Sequence, residues 1–181
     1  MLSSVIPNRK IFALSLLVPW AMPTLLAMEN RRIIGDEEIL SLYAAGVRDF
    51  TQYIIRFAEP EGMNLSGVDF SGQDISECYM PGINFSGANL RDIGLIQSNL
   101  DGADLSGADL SGARLGETSF RGTNLTNAKL VNSYFDGGTH LLGCNLTGAD
   151  FTGVDLDGVW AERNIYVSTI MPDGTIKNGT D

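Results

Sequence analysis

The side chains that most often perform chemistry are scarce in this chain of 181 residues. His140 is the only histidine, and Cys78 and Cys144 are the only cysteines. A metal site needs several converging ligands, and an activated nucleophile needs a neighbouring base, which one histidine cannot complete. The sequence therefore predicts no catalytic residue, no metal site, no cofactor site and no enzymatic activity.

The net charge of the chain restricts the kinds of partner that it is expected to bind. The chain has 12 lysines and arginines against 22 aspartates and glutamates, which gives a formal net charge of −10. Proteins bind nucleic acid largely through basic side chains that neutralise phosphates. We therefore expect no direct binding to nucleic acid.

Large apolar residues return every five residues through most of the chain. Small residues, commonly alanine, stand two positions before each of them, Asp or Asn often stands one before, and Ser-Gly often follows. After a slip of one residue, the pattern resumes at Leu146 and continues to Leu156. The apolar centres before the slip are Leu65, Phe70, Ile75, Met80, Phe85, Leu90, Leu95, Leu100, Leu105, Leu110, Leu115, Phe120, Leu125, Leu130 and Phe135.

A period of five suits neither a helix nor a flat strand. In a helix the apolar stripe would rotate around the cylinder, and in a strand successive centres would point to opposite faces. The chain must therefore turn once per quintet, with every centre pointing inward. Stacked coils of this kind form a solenoid, with about 4.8 Å between hydrogen-bonded neighbours.

The quintet A-(D/N)-L-S-G, as in residues 103–107, resembles the pentapeptide-repeat family. That resemblance implies an all-β solenoid, a right-handed quadrilateral parallel β-helix with four quintets in each coil. We expect residues 48–162 to form about six such coils.

Both ends of the repeat carry different patterns. Residues 28–47 are predicted to contain a short capping helix, with Asp36 at its N-cap and its end near Gly46. Residues 163–181 are predicted to form a C-terminal cap and β-type tail with a Pro-Asp-Gly turn, and residues 178–181 are expected to be loose.

The first 27 residues differ in composition from the rest. Arg9 and Lys10 precede a leucine-rich run without charge, an arrangement typical of a signal peptide or a membrane anchor. We expect an exported protein, in the periplasm or the thylakoid lumen, with membrane contact only for export or anchoring. The start of the chain, residues 42–50 and the tail also resemble exported and thylakoid-lumenal family members. Translation from Met28 would instead give a cytoplasmic protein.

The two cysteines are not expected to form a disulfide. On a four-sided register, Cys78 and Cys144 both occupy inward small-residue positions, but on different sides and about three coils apart, or ~14 Å. A disulfide needs Cα atoms within about 7 Å. We expect two buried free thiols.

Departures from the quintet at outward positions indicate where a partner could bind. Aromatic residues and arginines are favoured at interface cores, although such residues could instead pack against the flanking segments. The register slip is expected to form a bulge near His140, with His140 itself continuing the inward column of Met80, Leu100 and Phe120. The candidate interface residues are Ile96, Arg114, Tyr134, His140, Leu141, Leu142 and Trp160.

These observations favour a non-enzymatic binding or scaffolding module that presents a rigid acidic surface to an unidentified protein partner. The alternative comes from the resemblance, because some pentapeptide-repeat proteins imitate DNA and bind a type II topoisomerase (gyrase) in the cytoplasm. The acidic row that this alternative needs is interrupted by an amide and a lysine, and it runs through Asp69, Asn89, Asp109, Lys129 and Asp150.

Overall fold

The computed structural model describes residues 31–181, so the predicted signal peptide or anchor lies outside the described residues. Few segments form regular elements, because most of the chain consists of short turns joined by single β-bridges. In chain order the elements are β1 (Arg32–Ile34), α1 (Asp36–Ala44), β2 (Tyr53–Ile55), β3 (His140–Leu142), β4 (Trp160–Glu162), β5 (Ile165–Ile170) and β6 (Ile176–Thr180).

Between β2 and β3, parallel bridges join residues that are 20 positions apart. Asn64 bridges Asn84, which in turn bridges Asp104. Twenty residues per coil and one bridge per quintet give four sides, as the family resemblance implies. We number the sides by their inward centres: side 1 (Leu65, Phe85, Leu105, Leu125, Leu146), side 2 (Phe50, Phe70, Leu90, Leu110, Leu130, Phe151), side 3 (Ile55, Ile75, Leu95, Leu115, Phe135) and side 4 (Met80, Leu100, Phe120, Leu141).

The inward centres form one continuous core. Each of these centres is at most 5% exposed, and most are fully buried. Phenylalanine rings pack edge to face between sides, with centroids of Phe70 and Phe85 5.9 Å apart. Alanines such as Ala103 and Ala108 fill the remaining interior because the tube is too narrow for larger side chains there.

The polar positions of the quintet build the turns. Asp104 Oδ1 accepts a hydrogen bond from the Ser106 N–H at 3.0 Å, and the next residue, Gly107, has a φ of +66°. Such short side chains favour turns because they satisfy backbone donors locally, and glycine adopts a positive φ without a steric cost. The quintet thus turns the corner with its own side chains.

Several inward small-residue positions hold polar side chains that the quintet pattern does not predict. The Thr118 hydroxyl donates to Leu95 O at 2.6 Å, and the Thr123 hydroxyl donates to Leu100 O at 2.7 Å. Gln73 Nε2 donates to Phe50 O in the same direction. Each buried donor therefore finds a carbonyl in the preceding coil, which removes the cost of burying it.

The register slip occurs before His140, not after it. Arg114 bridges Tyr134 at a spacing of 20, whereas Ser119 bridges His140 at a spacing of 21, so the extra residue lies between them. Leu141 consequently fills the inward position of side 4 and is 1% exposed. The predictions of an inward His140 and a surface Leu141 are wrong, because the turn at Gly137 and Gly138 absorbs the extra residue.

Two segments flank the coils. The α1 residue Ile39 is fully buried, and the Tyr43 hydroxyl donates to Ser66 O at 3.1 Å. The predicted N-cap is wrong: Gly35 occupies that position, and Asp36 instead accepts hydrogen bonds from the loop N–H groups of Ala58 and Glu59. None of the helices in residues 31–181 is both long enough and apolar enough to span a membrane.

The C-terminal segment is a hairpin. Strands β5 and β6 pair antiparallel, and β5 also bridges the coil through Ile165 with Asn145 and through Ile170 with Asp150. The expectation that residues 178–181 are loose is wrong. Most of them belong to β6, and the Asp181 carboxylate accepts hydrogen bonds from the Asn164 N–H and the Tyr166 hydroxyl.

Substitution of a central inward residue should destabilise the whole coil stack. Leu105→Ala removes a fully buried side chain, and we expect the free energy of unfolding to fall by about 2–5 kcal/mol. Leu40→Ala, at a residue that is 42% exposed on α1, is the control and should cost less than about 1 kcal/mol. Denaturant titration measures both, and equal losses would contradict the buried inward columns.

Candidate protein-binding surface

The outward residues of sides 1 and 2 are mostly Asp and Asn that bond to one another. Asn89 Nδ2 donates to Asp69 Oδ2 at 2.9 Å, and Asn124 Nδ2 donates to Asp104 Oδ1 at 3.1 Å. These two sides therefore satisfy much of their own polar surface. The bridged column on side 1 is Asn64, Asn84, Asp104, Asn124 and Asn145, and on side 2 it is Asp49, Asp69, Asn89, Asp109, Lys129 and Asp150.

Sides 3 and 4 carry a different surface. Tyr79, Tyr134 and Trp160 are 64%, 57% and 58% exposed at positions where the quintet usually has Asp or Asn. The bridged column on side 3 is Asp74, Gly94, Arg114 and Tyr134, and on side 4 it is Tyr79, Asn99, Ser119, His140 and Trp160. The aromatic side chains of the outward columns thus lie on two adjacent sides, and Arg114 stands among them on side 3.

Arg114 is held in place across two coils. Its Nη2 atom lies 3.0 Å from Asp74 Oδ2, and its side chain passes over Gly94 to reach that carboxylate. A Cβ at Gly94 would lie 2.6 Å from Arg114 Nη2, so any larger residue there would displace the ion pair. Glycine is therefore required at position 94, because a side chain there would collide with the Arg114 side chain.

The Arg114 ion pair affects the ionisation of Asp74. Hydrogen bonds from the Ser76 hydroxyl and N–H, together with the charge of Arg114, outweigh desolvation and hold the pKa of Asp74 below its ordinary value. For Asp109 on side 2, burial raises the pKa. Hydrogen bonds from Ser111 and the nearby Arg91 outweigh that effect, so the pKa of Asp109 is also lowered.

Tyr134 and Ile96 lie near this ion pair. Tyr134 follows Arg114 in the column, and its Cε1 would be 3.2 Å from a Cβ at Gly116, so glycine lets the ring lie against the coil. Ile96 is half-buried, and its N–H donates to Ser76 Oγ at 3.1 Å. Ile96 therefore contributes only part of its side chain to the surface.

His140 and Trp160 form the second cluster, on side 4. Their ring centroids are 6.1 Å apart, with an interplanar angle of 69°. They line an open depression of about 360 Å³ together with Arg121, Leu142, Glu162 and Arg163. The depression combines aromatic, apolar and charged side chains, which suits the recognition of a polypeptide.

The predicted interface residues thus fall into two groups. The structure brings Ile96, Arg114 and Tyr134 together on side 3, and His140, Leu142 and Trp160 together on side 4. It excludes Leu141 from the surface. The sequence prediction missed Glu162, the last residue of the predicted repeat, and Arg163, which lies directly beyond it.

Both cysteines are free thiols in environments that disfavour the thiolate, but only Cys144 is buried as expected, whereas Cys78 is half-buried. Burial raises the pKa of Cys144 to about 12, and its Sγ donates to Phe120 O at 2.8 Å. Burial and the charge of Asp36 raise the pKa of Cys78 to about 11. No group of three or more His, Cys, Asp or Glu side chains within residues 31–181 is arranged to hold a metal ion.

A match to a family profile identifies the family of this chain. The profile described as pentapeptide repeats matches in eight copies, at residues 61–92, 98–137 and 137–159. The chain belongs to the pentapeptide-repeat family. The fold of this family is the right-handed quadrilateral β-helix, in agreement with the four sides described above.

Solved structures of pentapeptide-repeat proteins are also similar. Rfr23 from the cyanobacterium Cyanothece 51142 is 22% identical, with 71% of this chain and 92% of that chain covered and a TM-score of 0.43. A protein from Nostoc PCC 7120 is 29% identical, with coverage of 71% and 98% and a TM-score of 0.40. One from the thylakoid lumen of Arabidopsis thaliana is 40% identical, with coverage of 54% and 70% and a TM-score of 0.34. No curated protein matches significantly.

Removal of Arg114 should change the titration of one carboxyl group. Arg114→Gln deletes the charge beside Asp74, so we expect the pKa of Asp74 to rise towards its ordinary value while that of Asp109 is unchanged. Arg91→Gln should have the reverse pattern, because Arg91 pairs with Asp109. Carboxyl ¹³C NMR titration measures both, and an unchanged Asp74 in Arg114→Gln would show that the ion pair is absent in solution.

The native thiols should be unreactive. Because the pKa values of Cys78 and Cys144 are raised, little thiolate exists at pH 7.5, and we expect alkylation by iodoacetamide at least about tenfold slower than in denaturant. Mass spectrometry of each cysteine peptide over time gives the rates. Rapid alkylation of Cys144 in the native protein would contradict its burial and would mean that the coils open locally at side 1.

Proposed function

We propose that this protein is a non-enzymatic binding or scaffolding module that presents sides 3 and 4 to a protein partner. One observation carries the proposal: exposed aromatics occupy outward columns of these two sides, where sides 1 and 2 have Asp and Asn. A soluble protein gains nothing in stability by exposing Tyr79, Tyr134 and Trp160. Exposed aromatic rings at fixed positions are, however, the usual anchors of protein interfaces.

The coil also suits binding because it is rigid. Its outward side chains stand on a backbone that is bonded to both neighbouring coils, so little conformational entropy is lost when a partner docks. Arg114 is already oriented by Asp74. A partner therefore meets an arginine and a tyrosine that are largely preorganised.

The proposed organisation gives each segment a role. Residues 48–162 form the β-helix of about six coils, and residues 28–47 and 163–181 are the two caps. Buried Ile39 in α1 and buried Tyr166 in β5 support the capping roles, since both pack against the core. Such caps protect the unpaired backbone at the ends of a solenoid.

We also propose that the protein is exported, to the periplasm or the thylakoid lumen. Arg9 and Lys10 followed by an apolar run without charge support export. Translation from Met28 would give a cytoplasmic protein with the same body. Fractionation of cells that produce the protein, combined with its intact mass, distinguishes processing from internal initiation.

The alternative function, DNA-mimicking binding of gyrase, has weaker support. On side 2 the acidic column is interrupted by Asn89 and Lys129. Its carboxylates also accept local hydrogen bonds, such as that of Asp69 from the Ser71 hydroxyl. DNA carries one charge per about 1.7 Å of axis, which is denser than this column. A supercoiling assay at micromolar protein tests the alternative, and inhibition of gyrase would favour it over our proposal.

The proposed surface is tested by affinity purification with the full chain. Tyr134→Ser combined with Arg114→Ser removes the centre of the side 3 cluster, and we expect recovery of specific partners to fall about tenfold, as for loss of an interface anchor. Lys129→Ser, at an exposed residue on side 2, is the matched control and should recover partners normally. Equal recovery by wild type and the double variant would remove side 3 from the interface.

A further inference from the structure

The C-terminal end of the coil is covered on only part of its cross-section. On sides 1 and 2, β5 continues the ladders, and β6 pairs with its outer edge. On side 4 the last strand is β4, which pairs with β3 alone. Strand β4 is therefore an edge strand at the end of the ladder.

The backbone of β4 has hydrogen-bonding groups that face away from the coil. The Trp160 N–H donates to Thr139 O, and Glu162 O accepts from the Gly143 N–H, so both residues bond to the preceding coil. Because alternate residues of a strand point their backbone groups in opposite directions, Ala161 faces the open end. Outside the named strands, the structure records no backbone hydrogen bond within residues 31–181 from the Arg163 N–H or to the Val159 carbonyl.

The core is also partly open beside this edge. Leu156, Val159 and Ala161 are inward residues of the last coil, yet they are only half-buried, whereas Leu115 and Leu141 in earlier coils are at most 1% exposed. An added strand would complete both the ladder and the apolar column. An extended polypeptide with an apolar side chain facing inward has the required shape.

The charges around the depression beside β4 indicate which side chains an added strand would carry. The depression beside β4 is lined by two arginines, Arg121 and Arg163, and one carboxylate, Glu162. The ion pairs recorded for the described residues involve Arg91, Arg114 and Lys177, so neither arginine of the depression has a carboxylate within 4 Å.

Neither Asp101 nor the depression near α1 offers a comparable positive charge. The carboxylate of Asp101, which follows Leu100 on side 4, already accepts hydrogen bonds from the Ser119 hydroxyl and the Arg121 N–H. The other large depression, near α1, is instead lined by four carboxylates, those of Asp36, Glu37, Glu38 and Glu59.

We propose that β4 is a docking edge for an extended segment of a partner protein, which adds a parallel or antiparallel strand to side 4. The segment carries an apolar residue over Ala161 and a carboxylate that pairs with Arg121 or Arg163. This inference rests on the proposed protein-binding function and adds the mode of binding and the chemistry of the partner. Trp160, exposed at the start of β4, flanks the added strand.

Selection from random peptides tests the proposal without a known partner. A phage-displayed heptapeptide library is selected on the full chain and counter-selected on Ala161→Pro, which removes the outward N–H and is tolerated at a strand edge. We expect enrichment of peptides with a carboxylate next to an apolar residue. Failure to enrich such peptides on the wild type overturns the inference and leaves the Tyr134 and Arg114 surface unaffected.

The enriched peptide is then synthesised and titrated into ¹⁵N-labelled full-length protein. The amides of Ala161 and Arg163 should shift and exchange more slowly with solvent when the peptide is bound. Arg121→Gln combined with Arg163→Gly should weaken binding about tenfold, as expected for loss of a charge-assisted hydrogen bond. Glycine is chosen because Arg163 has a φ of +57°. Lys129→Gln is the matched control and should bind normally.

Two results would overturn the proposal even if a peptide binds. Unchanged amides at Ala161 and Arg163 would place the peptide elsewhere. Protection of these amides in concentrated protein without peptide, together with a doubled mass in sedimentation, would assign the edge to a second copy of this chain.

Discussion

The structure depends on the backbone hydrogen bonds between successive coils. The N–H of most inward centres donates to the coil that follows, as the Leu105 N–H does to Asn124 O at 2.8 Å. The next coil must therefore present a carbonyl at the same height and direction, so every quintet has nearly the same backbone. This constraint sends the centres and the small residues two positions before them to the core, and the other residues of the quintet to the surface. It also explains why one inserted residue must be absorbed in a turn, at Gly137 and Gly138, and not in a ladder.

A uniform backbone confines variation to the outward columns. Sides 1 and 2 use theirs for turn-forming Asp and Asn, which bond to neighbouring coils. Side 3 replaces these residues with Gly94, Arg114 and Tyr134, and the missing side chain at Gly94 is what allows Arg114 to reach Asp74. The substitutions depend on one another, because a side chain at position 94 would break the ion pair. The outward residues of three successive coils on side 3 are therefore coupled to one another.

The period of five was sufficient for a coil that turns once per quintet, and the resemblance to the pentapeptide-repeat family supplied the four sides and hence most of the columns. The position of the register slip could not be predicted from the sequence. An extra residue before His140 and one after it both leave the centres at Leu146 and beyond unchanged. Only the bridge of Ser119 with His140 resolves the two registers. Asp36 was mistaken for an N-cap because its preference for that position is a local rule, whereas its carboxylate is used by the distant Ala58 and Glu59 loop. Glu162 and Arg163 were not selected because they lie at and just beyond the end of the predicted repeat, where the quintet pattern fades.

The C-terminal end of the ladder leaves one strand edge, that of β4, without a further strand. An open strand edge is a template for association, and proteins commonly protect it by making it short or by placing charges beside it. Strand β4 has both features, since it spans three residues and is followed directly by Arg163. The hairpin covers sides 1 and 2 but does not extend over β4, although an added strand there would bury Leu156 and Val159 further. An edge that is short, charged and beside a half-open core resists indiscriminate pairing while it still accepts a matching segment. That combination is consistent with recognition and not with an unfinished cap.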